Sequence, residues 1–148
     1  MDTERVHEPI NTALPMKLHM PQPGAYALIT ARLHYSPANP YAVRTAFHLR
    51  PGHEPVVWHM GRDLIRDGLI RFTGEGDVQI GPGPHGSRDV LFRLRAHQGA
   101  ALLTAPRQPL SAFLRRTAEV VPYGREAATP GFLAGLDIEL ASILTDPR

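Results

Sequence analysis

The sequence predicts an α+β domain in which helices pack on a mostly antiparallel sheet. Three observations carry this reading. Apolar and polar side chains alternate with a two-residue period in stretches such as 41–49 and 89–95. Turn-forming residues, such as Ser36-Pro37-Ala38-Asn39-Pro40, separate the extended stretches. From Leu110 onward the apolar residues recur at helical spacing. The predicted order is three strands, a helix, three strands and two helices, βββ-α-βββ-αα. A chain of 148 residues with 43% apolar content is long enough for one cored domain, spanning 1–148, and too short for two.

Residues 1–24 contain Pro9, Pro15, Pro21 and Pro23 and no sustained period, so they read as a proline-rich irregular arm with a short extended piece at 14–20. Strands are predicted at 25–35, 41–49 and 55–60. In the second, Val43, Thr45 and Phe47 alternate with Ala42, Arg44, Ala46 and His48, as one buried face requires. Residues 61–69 read as a helix of about two turns. Leu64 and Ile65 lie on one side, and Arg62, Asp63, Arg66 and Asp67 lie mostly on the other. Gly68 stands where a left-handed residue commonly ends a helix. Further strands are predicted at 77–80, 89–95 and 100–104, the middle one marked by Val90, Phe92 and Leu94. The next helix places Leu110, Phe113, Leu114, Thr117 and Val121 inward, with Ser111 at its start and Arg115, Arg116 and Glu119 left to solvent. Thr129 and Pro130 resemble a cap and first helical residue. The last helix would then carry Leu133, Leu136, Leu140, Ile143 and Leu144 on one stripe.

Composition removes several functional classes. With no cysteine there are no disulfides, thiolate zinc sites or cysteine nucleophiles. The start, MDTERVHEPI, is acidic where a signal peptide is basic and then apolar, and no apolar run reaches the roughly 18–20 residues that span a bilayer. The expected location is cytoplasmic. A formal net charge of +2 is too small to name nucleic acid as the partner.

Candidate chemistry is sparse. The run GRDLIRDGLIRFTGEGDVQIGPG invites a phosphate loop, but no Lys-Ser/Thr pair follows its glycines. The predicted helix precedes Gly74 and Gly76, whereas a dinucleotide loop would open one. A tight turn feeding a strand explains these glycines. Among the eight histidines, His48, His53 and His59 are the closest set, without a metal-ligand interval. Ser36, Ser87, Ser111 and Ser142 lack a nucleophile elbow, and Asp63 and Asp67 read as a solvated helical face. No catalytic residue, cofactor or metal is predicted. Arg115 and Arg116, with Arg93, Arg95 and Arg107, could form a basic surface for single-stranded nucleic acid. Phe92 and Phe113, however, fall on predicted core faces, which leaves few stacking platforms. Arg115, Arg116, Leu136, Leu140 and Ile143 are the candidate partner or oligomer surface, because the last stripe can exceed what one small sheet covers, although intramolecular core is the stronger reading of that stripe; the sheet edge is the other candidate for assembly.

Taken in order, NPYAVRTAFH (residues 39–48), W-x-x-x-RDL-x-x-x-GL (58–69), TGEGDV (73–78) and FLRRTAEVVPYGRE (113–126) resemble the SsgA-like sporulation and cell-division proteins of actinomycetes. The series covers about two thirds of the chain. Two departures stand out: Ile80, Gly81 and Pro82 occupy positions where members often carry an aromatic-proline pair, and the arm is longer and richer in proline. The resemblance implies a non-enzymatic protein of sporulation-specific division. Such proteins bring the tubulin-like FtsZ to future septa, directly or through another SsgA-like protein, or affect septal peptidoglycan remodelling. It also implies a fold like the Whirly and mitochondrial guide-RNA-binding proteins, homo-oligomers with trimers the implied number, and recruitment from the cytoplasm to septa. A single-strand-binding module of that fold is the alternative.

Overall fold

The computed structural model describes residues 8–97 and 99–128. Its seven strands form one sheet in the order β4-β3-β2-β1-β7-β6-β5, with every neighbouring pair antiparallel. The strands are β1 (Ile10–His19), β2 (Tyr26–Tyr35), β3 (Ala42–His48), β4 (Val56–Gly61), β5 (Val78–Pro82), β6 (Asp89–Ala96) and β7 (Gly99–Pro106). Helix α1 (Arg62–Gly68) follows β4, helix α2 (Arg107–Val120) follows β7, and a 3-10 turn occupies Glu126–Ala128. The α+β class and the antiparallel sheet agree with the sequence; the element order begins with an additional strand.

That strand is β1. Ten residues of the expected irregular arm form it, and it lies at the centre of the sheet, paired with β2 along its whole length. The prolines hid a period of two: Leu14 and Met16 are buried and Leu18 partly so, whereas Ala13 and Pro15 are exposed. Pro15 is tolerated because β1 pairs with β7 only at Lys17 and Leu18, so beyond those residues β1 is locally an edge where a missing N–H costs little.

One face of the sheet carries the core. Ile29, Ala31, Leu33 and Tyr35 of β2, Val43 and Phe47 of β3, Val90, Phe92 and Leu94 of β6, and Leu103 and Ala105 of β7 all point to it. From α2, Leu110, Phe113 and Leu114 complete the cluster. Alternation therefore places the core as the sequence predicts. Ser111 is not a helix start: α2 begins at Arg107, directly after its N-cap Pro106, and Ser111 lies four residues inside the helix, where its Oγ accepts a hydrogen bond from Arg115.

The sheet is strongly curled. Phe47 and Trp58, from β3 and β4, line the same groove as Leu94 and Ala101, from β6 and β7. In a flat sheet β4 and β6 would stand five strand spacings apart, roughly 24 Å. Helix α1 spans the remaining gap, since it follows edge strand β4 directly and packs on edge strand β5.

The closeness of α1 to β5 explains Gly68. This residue does not adopt the expected left-handed conformation; Leu69, the C-cap, is right-handed helical, and among the described residues every positive φ belongs to another glycine. A Cβ on Gly68 would fall 2.6 Å from the Ile80 Cβ, inside the β5 side chain. Gly74 does need its glycine backbone: its φ is 109°, and a Cβ there would strike the Val78 carbonyl. The second predicted terminal helix, with its cap at Thr129 and Pro130, lies outside the described residues.

Gly68→Ala should therefore destabilise the fold even though alanine favours helix. Overpacking costs about 1–3 kcal/mol, against about 1 kcal/mol of helix propensity gained. The expected result is a lower urea midpoint at unchanged m-value; an equal or higher midpoint would refute the close-packing account.

Candidate interaction surfaces

The most demanding chemistry in the molecule is internal. Arg62, assigned by its sequence position to a solvated helical face, is fully buried. It opens α1, and Gly61 before it is extended, so the side chain enters the core beneath the end of β4. One terminal nitrogen, Nη1, donates to the Val121 carbonyl at 2.6 Å; the other, Nη2, donates to Glu126 Oε2 at 2.8 Å. The guanidinium lies over the Tyr123 ring at 4.2 Å and the Tyr35 ring at 5.0 Å. Arg66, one turn further along α1, also lies 4.2 Å over Tyr123.

Glu126 is buried as well, and its second oxygen accepts the Gly124 N–H at 2.8 Å. Burial alone pushes its carboxyl up. The Arg62 hydrogen bond and charge, with the backbone N–H groups of Glu126 and Gly124, outweigh burial and hold it below its ordinary value. Tyr35 is pushed up to about 12 by burial, against the opposing Arg62 charge, and donates its hydroxyl to the Pro40 carbonyl at 2.9 Å. Burial likewise raises Tyr123. These groups hold fixed protonation states near neutrality, as a structural junction requires.

This junction joins two of the sequence motifs, RDL at residues 62–64 and PYGRE at 122–126, through residues 64 positions apart in the chain. Both motifs are legible in the sequence; the contact between them is not. The available signal was one unpaired basic residue immediately after a strand and one acidic residue after a helix. A charge pattern alone cannot tell such a pair from solvated residues.

The predicted surface residues separate. Arg115 and Arg116 are exposed on α2; Arg115 donates to Ser111 Oγ at 3.1 Å, and Arg116 donates to the Asn11 carbonyl at 3.4 Å. Leu136, Leu140 and Ile143 lie outside the described residues, so the structure does not join them to the two arginines. Phe92 and Phe113 are core residues. Among the described residues, no three His, Asp or Glu side chains gather in a metal-binding group.

Two surface features escaped sequence analysis. The first is edge strand β4, whose Val56 and Val57 are exposed and which carries no lysine, proline or acidic residue to blunt it. At the opposite edge, β5 is partly covered by the Thr73–Ile80 bridge and ends in Pro82. The second is an apolar groove of about 300 Å³ at one end of the core-bearing face. Its signal was present in Trp58 and Phe47, but only the curl brings them opposite Leu94 and Leu103.

Removing either member of the buried pair should be costly. Arg62→Met or Glu126→Gln leaves a buried charge unmatched, at about 3–5 kcal/mol. An Arg62→Met, Glu126→Leu double variant should lose less than the sum of its single changes in urea unfolding. Because the folded Glu126 carboxyl ionises below its ordinary 4.5, the pair's contribution is present above that pH and is lost as pH falls through the depressed folded value. Glu126→Gln should therefore flatten the acid limb of stability against pH; parallel acid limbs would refute this assignment.

The family profile described as Streptomyces sporulation and cell division protein, SsgA, matches residues 29–126. The chain is 39% identical over 140 residues to the sporulation-specific cell division protein SsgB of Frankia casuarinae, covering 93% of each. It is 48% identical over 100 residues to SsgB of Thermobifida fusca, covering 67% of this chain and 72% of that one. The crystal structure of an SsgA-like sporulation-specific cell division protein from Thermobifida fusca superimposes with a TM-score of 0.78 at 38% identity, covering 96% of this chain and 98% of the other. The matched segment contains both halves of the Arg62–Glu126 pair and all four motifs. The chain belongs to the SsgA family of sporulation and cell-division proteins.

Proposed function

We propose that this protein is an adaptor of sporulation-specific cell division that works through protein surfaces and without turnover. The observation that carries the reading is the match to SsgB of Frankia casuarinae across 93% of both chains, a relative named for sporulation-specific division. In this reading the protein helps select septum sites by bringing FtsZ there, directly or through another SsgA-like protein, or by influencing septal peptidoglycan remodelling. It resides in the cytoplasm until recruited, and its curled sheet is Whirly-like.

The distribution of chemistry supports an adaptor. Among the described residues, the titratable groups whose protonation is shifted, Tyr35, Tyr123 and Glu126, all belong to one junction around Arg62: Tyr35 and Glu126 by hydrogen bonds and Tyr123 by its ring under the guanidinium. The exposed groups suited to contact include the open β4 edge and the guanidinium groups of Arg115 and Arg116. A fluorescent fusion should concentrate at sporulation septa, and deletion of the gene should alter septum number or placement. A fusion that stays diffuse through septation, together with normal septa in the deletion strain, would sink the proposal.

The same reading includes self-association to a trimer through β4. Val57 points away from the core-bearing face and is exposed, so Val57→Lys places a charge on the edge without touching the core. Light scattering should then fall toward the 16.3 kDa single-chain mass. A wild-type chain that scatters at that mass across micromolar concentrations would overturn the assembly claim.

A further inference from the structure

The face of the sheet turned away from the core is chemically lopsided. None of the strands β1, β2, β3 and β4 contains an aspartate or a glutamate. Cross-strand register sets Asn11, His34, Arg44 and His59 in one row across these four strands, at positions that alternate with core-facing ones. Arg32 stands in the neighbouring row, between Ala13 and Ala46. We propose that these two rows bind an acidic segment of a partner protein, whose carboxylates are held by Arg32, Arg44, His34 and His59.

Three observations support this site. First, the surface there is concave: a depression of about 410 Å³ is lined by residues that include Asn11, Ala13, Arg32, His34 and Arg44. Arg32, Arg44 and His59 are exposed and His34 is half-buried, so all four cationic or imidazole side chains can meet a ligand. His34 is already oriented, with Nδ1 2.6 Å from Asn11 Oδ1. At the end of the row a further guanidinium, that of Arg116, donates to the Asn11 carbonyl at 3.4 Å.

Second, the two guanidinium groups lack an internal counter-charge. Arg32 and Arg44 are diagonal neighbours on adjacent strands, where like charges repel. Among the described residues the ion pairs belong to Arg62 and Arg66, and no carboxylate meets Arg32 or Arg44. A bound carboxylate relieves this repulsion, and it matches the guanidinium fork in shape.

Third, the dimensions and composition of the rows select the ligand class. From Asn11 to His59 the row crosses three strand spacings, about 14 Å. Alternate side chains of an extended segment lie about 7 Å apart on one face, so two or three carboxylates of a single segment fit along it. Single-stranded nucleic acid calls for stacking platforms, and neither row holds a tryptophan, tyrosine or phenylalanine. The proposal rests on the adaptor reading for its partner, and it engages side chains of the face, not the backbone edge of β4.

The test uses a fluorescein-labelled peptide of alternating glutamate and alanine, followed by fluorescence anisotropy on the full-length chain at low salt. The peptide should bind, binding should weaken as salt is added, and the matching glutamine-alanine peptide should not bind. Arg32→Gln and Arg44→Gln should each weaken binding roughly two- to fivefold. Arg95→Gln, which makes the same change in net charge on exposed β6, should leave it unchanged. Absence of binding at millimolar peptide, or equal losses in all three variants, would overturn the proposal. Displacement by inorganic phosphate beyond that caused by chloride at equal ionic strength would assign the rows to a small anion. Tighter binding of a labelled oligothymidylate, lost in the same two variants, would assign them to nucleic acid; either result overturns the acidic-segment site. Septal localisation of the fusion is read separately, so failure of this site and failure of the adaptor reading are distinguishable.

Discussion

A buried guanidinium is the constraint on which the closed form of this sheet depends. Arg62 has no access to water, so its charge must be met inside the protein or the fold loses several kcal/mol. The groups that meet it come from distant places: Val121 at the end of α2, Glu126 in the turn beyond, Tyr123 between them and Tyr35 at the end of β2. Arg62 itself begins α1, the helix that follows one sheet edge and packs on the other. Satisfying one charge thus fixes the end of α2 against the element that bridges the curl. A hydrophobic residue could fill the same volume, but it would not demand this set of partners.

The same dependence explains why the glycines of α1 and its following turn matter. If α1 must touch β5 to bridge the two edges, the contacting residue has to be small, and Gly68 meets that need against Ile80. Gly74 then lets the chain reverse tightly enough for Thr73 to bridge Ile80 on the same strand. A segment whose glycines suggest a phosphate loop is explained by close packing and a tight turn. Its residues are used to close the sheet.

Much of this was legible from residue order, and what was not has identifiable physical causes. Alternation located β3, β6 and the core-facing residues because a half-buried strand imposes a period of two on any sequence. It failed at β1, where the proline content argued for an arm. Only the absence of a β7 partner beside Pro15, a property of the whole sheet, makes that proline acceptable. The helical periodicity found the inward side of α2 but misjudged Arg62, because an arginine two residues from Leu64 looks solvated until a carboxylate from residue 126 is placed against it. Curl was equally hidden, since it depends on pairing between strands distant in sequence. Without it neither the groove nor the bridging role of α1 can be inferred.

These points bear on what family membership tells us. The motifs that mark the family include RDL and PYGRE, and the structure uses Arg62, Tyr123 and Glu126 from them to hold the fold closed. A match on such residues is strong evidence for architecture, because each depends on the others being present. It carries less information about a partner, which would meet the exposed β4 edge, the α2 arginines or the groove rim. None of those surfaces is needed to satisfy Arg62. They can change while the junction stays intact.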